Sequence, residues 1–201
     1  MKTVANICGI ALLASWPGFA RSADAVDDAL KAFRAGDAQQ AVRLLSGAAQ
    51  SGDLTAATNL GVLLARGQGV AQNDAEALYW LLKARLMGEP RAGRMAEAVA
   101  RGITEDQHAN VVDRLAHDLE SRAQDGSIRA LIALGALETA LRSPADLGRG
   151  YMWFAAAAAL GDREALILRD TIARDLTVED RQAAQEKLSQ LYKKFPKIQM
   201  Q

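Results

Sequence analysis

One pattern of residues occurs twice in this chain. Trp80, Ala84 and Gly88 return as Trp153, Ala157 and Gly161, 73 residues on. Val99-Ala100-Arg101-Gly102-Ile103-Thr104 returns at the same spacing as Ile172-Ala173-Arg174-Asp175-Leu176-Thr177. Leu60-Gly61 returns 74 residues on as Leu134-Gly135. These matches are spread over four segments with helical periodicity, and chance does not explain them. A recurring unit of this kind folds the same way each time and stacks on its neighbour, because a single hairpin leaves its apolar faces exposed. The chain therefore divides into a helical pair at 24–52, a four-helix unit at 53–126 and a second unit at 127–197. No long linker interrupts them, so 21–197 reads as one domain.

The best-preserved stretch runs from Asp53 to Glu89. Ala57, Leu60, Gly61 and Leu64 form one helical stripe, Gly67-Gln68-Gly69-Val70 a turn, and Ala77, Trp80, Leu81 and Ala84 a second stripe that stops at Gly88. Gly67 and Gly69 supply positive φ in the turn. Gly61 and Gly135 are read as points where a partner helix comes too close for a side chain, and Trp80 and Trp153 as fillers between hairpins. Start signals recur along the chain. Asp37, Asp53 and Asn73 are N-caps, Thr104 and Gln107 a capping box with Ile103 as its staple, and Thr177 caps the last helix. In the second unit Ser143-Pro144 replaces the glycine turn, and the next helix is expected to start near Pro144. It carries Tyr151-Met152-Trp153-Phe154 and five alanines, Ala155 to Ala159. Half the residues are apolar and only 5% are aromatic. Alanine dominates, which favours closely packed helices. The expected fold is an all-α solenoid of about ten helices.

The first residues follow another logic. Lys2, the apolar run Val4–Ala14 and the small residues Gly18 and Ala20 have the three parts of a secretory signal peptide, 1–20. Cleavage after Ala20 fits, and after Ala25 fits nearly as well. The alternative is an uncleaved anchor or a buried first helix. The run is too short to span a bilayer permanently, and residues 21–25 are expected to be a disordered mature end. This places the mature chain in a periplasm or outside the cell. Cys8 is the only cysteine and lies in the leader, so the mature chain has no disulfide or thiolate chemistry. The 24 basic and 24 acidic residues balance. Without a basic block, nucleic acid is not an expected partner.

The run carried by Ala57, Leu60, Gly61, Gly67, Gly69, Val70, Asp74, Ala77, Trp80, Ala84 and Gly88 resembles the Sel1-like repeat, a relative of the tetratricopeptide repeat. The likeness is degenerate at 130–161, where Leu134, Gly135, Trp153, Ala157 and Gly161 remain and the turn glycines are missing. It is partial at 29–52, and the helices at 91–124 and 163–194 lack the signature. The resemblance implies an α-solenoid serving as a protein-binding scaffold, in exported bacterial members often an adaptor or regulator of envelope proteins. Some relatives carry disulfides and bind cell-wall compounds; the cysteine-free mature chain argues against that branch.

Motifs for chemistry are weak. Gly67-Gln68-Gly69 lacks both the third glycine, position 72 being Gln72, and the preceding strand of a dinucleotide fingerprint. His108 and His117 lie nine apart on one predicted helix, on nearly opposite sides; His117 and Glu120 share a face but supply only two ligands. Asp27-Asp28, Glu105-Asp106 and Glu179-Asp180 each sit in a first helical turn, where acids complement the dipole. No Gly-x-Ser-x-Gly elbow occurs. Trp80, Trp153, Tyr79, Tyr151 and Phe154 either pack the core or line a groove. No catalytic residue, metal or cofactor is expected.

The first helix of each hairpin lines the concave face of such solenoids. Off the buried stripe this leaves Thr55, Thr58, Val62 and Arg66 in one unit, and Arg129, Ile132, Ala136 and Thr139 in the other. These strips either receive a helix or extended peptide or are covered by neighbouring helices. The function expected is non-enzymatic: an exported scaffold binding another protein or peptide. The alternatives are a cell-wall hydrolase or peptidoglycan-binding protein on the same helices, and a structural helper in an envelope complex.

Overall fold

The computed structural model describes residues 17–198. The apolar leader and Cys8 lie outside the described residues. The described chain forms α1 (Pro17–Arg34), α2 (Ala38–Gln50), α3 (Leu54–Arg66), α4 (Asp74–Leu86), α5 (Arg91–Ala100), α6 (Glu105–Gln124), α7 (Ile128–Ala140), α8 (Leu147–Ala159), α9 (Arg163–Ile172) and α10 (Val178–Lys194), then a 3-10 turn at Pro196–Ile198. It is an all-α solenoid of antiparallel hairpins. None of these helices is long and apolar enough to cross a membrane.

The duplication is visible in the helices themselves. α3, α4 and α5 are 13, 13 and 10 residues long, and α7, α8 and α9 repeat those lengths. In both units the second helix is the hub. α4 packs on α3, α5 and α6, and α8 packs on α7, α9 and α10. Along the solenoid, α2 joins to α3 and α6 to α7. One continuous apolar cluster runs from Val26 to Ile198. Leu60, Leu81, Leu131 and Leu134 are among its fully buried members, each contributing on the order of 2 kcal/mol by burial.

Local chemistry sets the boundaries. Asp37, Asp53 and Asn73 accept the backbone N–H three residues on. Thr104 and Gln107 form the reciprocal box, and Thr177 accepts the Asp180 N–H. Gly67 and Gly69 take φ values of +60° and +77°. The turn they make lies against the start of α2, where a Cβ on Gly69 would sit 1.9 Å from that of Ala38. Helix contact explains the other two glycines. A Cβ on Gly61 would lie 2.7 Å from Leu81 Cγ, and one on Gly135 would lie 2.5 Å from Phe154 Cε1.

Two expectations are corrected. Residues 21–25 are helical, because α1 reaches back to Pro17; proline suits a first helical position, where its missing N–H has no partner to lose. The expected cleavage points after Ala20 and Ala25 both fall within this helix. The helix expected near Pro144 begins instead at Leu147, with Asp146 as its cap accepting the Arg149 N–H at 2.8 Å. Asp146 itself donates its N–H to the carbonyl of Glu138 at 2.9 Å, so the chain must first close this turn before the helix can start.

Candidate functional site

The two outward strips meet different fates. In the second unit Arg129, Ile132 and Ala136 of α7 line an open groove of about 670 Å³ with Leu168 of α9 and the end of α4. The groove exists because α7 and α9 do not pack together as α3 and α5 do. Its floor is Ile128, Ile132, Ala136 and Leu168, and Glu164 stands on the α9 side. Arg129 is exposed, yet it is held. Its Nη1 donates to the Met87 carbonyl at 2.6 Å, a cation on the negative end of α4. Thr139 does not join the groove. Its hydroxyl donates to the Gly135 carbonyl at 2.9 Å, and its methyl fills the space beside Gly150.

In the first unit the strip is broken. Thr58 is only 4% exposed and donates to the Leu54 carbonyl at 2.8 Å, so it presents nothing to a partner. Of the two readings of this strip, cover by neighbouring helices describes Thr58, because α2, α4 and α5 all pack on α3. Thr55 is half-buried. Val62 and Arg66 line a smaller groove of about 160 Å³ with Leu30 and Phe33 of α1.

The weak motifs stay apart. His117 is exposed, while Glu120 turns to Arg149 at 3.2 Å. Asp28 pairs with Lys31 at 2.9 Å. Tyr79, Tyr151, Trp80, Trp153 and Phe154 are all buried, so they pack the core.

Sequence reasoning missed two polar clusters within the packed layers. Around Trp80, Lys83 is buried and its Nζ lies 2.8 Å from Asp118 of α6, 5.1 Å from the Trp80 ring centre and 5.5 Å from that of Tyr79. Arg114 lies over the Tyr79 ring at 3.9 Å and pairs with Glu76, which also accepts the Trp80 indole N–H at 2.8 Å. The hydrogen bond that Arg114 donates to Glu76 raises its pKa above the usual guanidinium value. In the second unit Glu138 is completely buried. Its Oε2 accepts from Arg142 at 2.6 Å and its Oε1 lies 3.1 Å from Arg149. Arg142 also reaches Asp113 of α6 at 2.9 Å, and Arg149 reaches Glu120. Partial burial pulls the Arg142 pKa down, but its bond to Asp113 and the charge of Glu138 outweigh that and leave it raised.

These clusters are not copies of one another. At a spacing of 73, Glu76, Lys83, Arg114 and Asp118 are replaced by Arg149, Ala156, Lys187 and Leu191. Glu138 stands where the first unit has Leu64, 74 residues earlier. The one signal of this in the sequence is a carboxylate within the mostly apolar run Leu131–Leu141.

The Sel1 repeat family model matches residues 54–89 and 128–162. These ranges are the α3–α4 and α7–α8 hairpins with their following turns. A search of curated proteins finds no match.

Proposed function

We propose that this chain, a Sel1-like repeat protein, is a non-enzymatic scaffold that binds another protein through the α7–α9 groove, and that it does so in the periplasm as an adaptor or regulator of envelope proteins. The observation that carries this reading is the groove itself. It is open, apolar along its floor, and rimmed by Arg129 and Glu164. An amphipathic helix or extended segment suits such a surface, with its apolar side chains on Ile132 and Ala136 and polar groups at the rim. The leader-like pattern of residues 1–20, a basic start, an apolar run and small residues, supports the compartment.

The test is a photo-crosslinking residue placed at Ile132 in intact cells. It is expected to capture one recurrent partner. Adding Ala136→Arg is expected to abolish the crosslink, since the new charge must be buried under the partner. Thr55→Glu, which lies outside the groove, is expected to leave it intact. A crosslink that survives Ala136→Arg overturns the assignment to this groove. Fractionation of the same cells tests the compartment, with recovery in the soluble cytoplasm as the contrary result.

A further inference from the structure

The third helices of the two units differ on their outer faces. At a spacing of 73, Gly93 and Arg94 of α5 become Leu166 and Ile167 of α9. Arginine belongs on an exposed helix face, whereas isoleucine is usually buried. Ile167 is nevertheless 66% exposed, more than any other large apolar side chain among the described residues, and Leu166 beside it is 42% exposed.

The charges around Ile167 give this face a direction. Arg163, Ile167 and Asp170 stand four and three residues apart, so they form one strip along α9. All three are exposed. Arg163 and Asp170 are separated by about 10 Å of helix, too far to pair with each other. Within the chain Asp170 accepts from Arg169 through Oδ1 alone, from Nε at 2.8 Å and from Nη2 at 2.6 Å. Its second oxygen can still accept from another cation.

Turned antiparallel against a copy of itself, the strip is self-complementary. With Ile167 on the two-fold axis, each Arg163 faces Asp170 of the second copy. The two Ile167 side chains meet between these ion pairs, with Leu166 on their flank. A two-fold contact makes every such pairing twice. Like charges on either side of the isoleucine would instead repel. From the exposed isoleucine and the opposite charges that bracket it, we infer that this chain pairs with a second copy of itself through α9, antiparallel, about an axis at Ile167. A single helix of 10 residues covers less than a standard interface, so the dimer is weak and reversible. The α7–α9 groove takes Glu164 and Leu168 from a different edge of α9, so the pairing does not rest on what the groove binds.

Sedimentation equilibrium of the full chain tests this. The average mass is expected to rise with concentration, with a dissociation constant on the order of 10–100 µM. Ile167→Arg, which installs the residue type of Arg94, is expected to keep the chain monomeric over that range. Arg163→Asp and Asp170→Arg each set like charges across the axis, and each is expected to weaken pairing about tenfold. Mixed in equal amounts, the two single variants are expected to recover it, because their charges are then opposite at both contacts. The three positions are exposed, so melting temperatures measured below the dissociation constant are expected to match that of the parent. That comparison separates lost pairing from lost folding. Ala136→Arg, which alters only the groove, is expected to leave the mass curve unchanged. A chain that stays monomeric at about 1 mM, association that survives Ile167→Arg or is lost in Ala136→Arg, or a mixture that pairs no better than either single variant would each overturn the inference.

Discussion

Replacing Arg142 and Arg149 together by alanine is expected to lower the unfolding free energy by about 3–5 kcal/mol. Glu138 is fully buried, and these two guanidiniums are the cations that face it. Without them its carboxylate is left uncompensated in the interior, where desolvation is no longer offset. The loss is a large share of the roughly 5–15 kcal/mol by which domains are stable. The same logic predicts a rescue. Adding Glu138→Leu removes the stranded charge and installs the residue type that the first unit has at Leu64. The triple variant is expected to regain most of the loss, because an ion pair exchanged for an apolar side chain of similar volume is often near neutral. Urea unfolding of the three proteins checks both steps. A triple variant no more stable than the double variant would show that the arginines act through their packing and not through Glu138.

Gly135→Ala is expected to destabilise, although alanine is worth about 1 kcal/mol more than glycine inside a helix. The added methyl would meet three atoms of the Phe154 ring at 2.5 to 2.7 Å. Phe154 is itself only 2% exposed and has nowhere to move. Overpacking of this kind costs about 1–3 kcal/mol. Gly47→Ala is the matched comparison. It too sits inside a helix, α2, but a Cβ there meets nothing within 4 Å. It is expected to raise stability by about 0.5–1 kcal/mol. Thermal melts of the two variants should therefore move in opposite directions. If Gly135→Ala also stabilises, α7 and α8 can separate at little cost and the close approach is not essential.

The helices were legible because their signals are local. Asp53 caps the N–H three residues on, and Gly67 turns the chain at its own position; neither needs knowledge of another hairpin. The start at Leu147 was a case where proline marks a possible boundary and the neighbouring Asp146 cap, tied back to Glu138, decides. The ionic clusters were not legible for the opposite reason. Lys83 and Asp118 are 35 residues apart, and Asp113 and Arg142 are 29 apart. Their pairing depends on how α6 lies between α4 and α7, which periodicity does not specify. For Thr58 the sequence left two readings open, a free strip or one covered by neighbouring helices, and only the packing of α2, α4 and α5 on α3 decides between them.

The two turns between paired helices reach back to the preceding element by different means. In the first unit Gly69 fits against Ala38, a contact of shape alone. In the second, Arg142 holds Asp113 across to α6, and Asp113 is 65% exposed. Dissolved ions screen an exposed pair, whose reach shortens to a Debye length of about 3 Å at 1 M, and leave a steric fit untouched. Rising ionic strength should accordingly loosen one joint of the solenoid and spare the other. Amide exchange at Leu141–Asp146 would quicken in salt while that at Gly67–Val70 stays constant, so a duplicated architecture would bend at a single, chemically chosen seam.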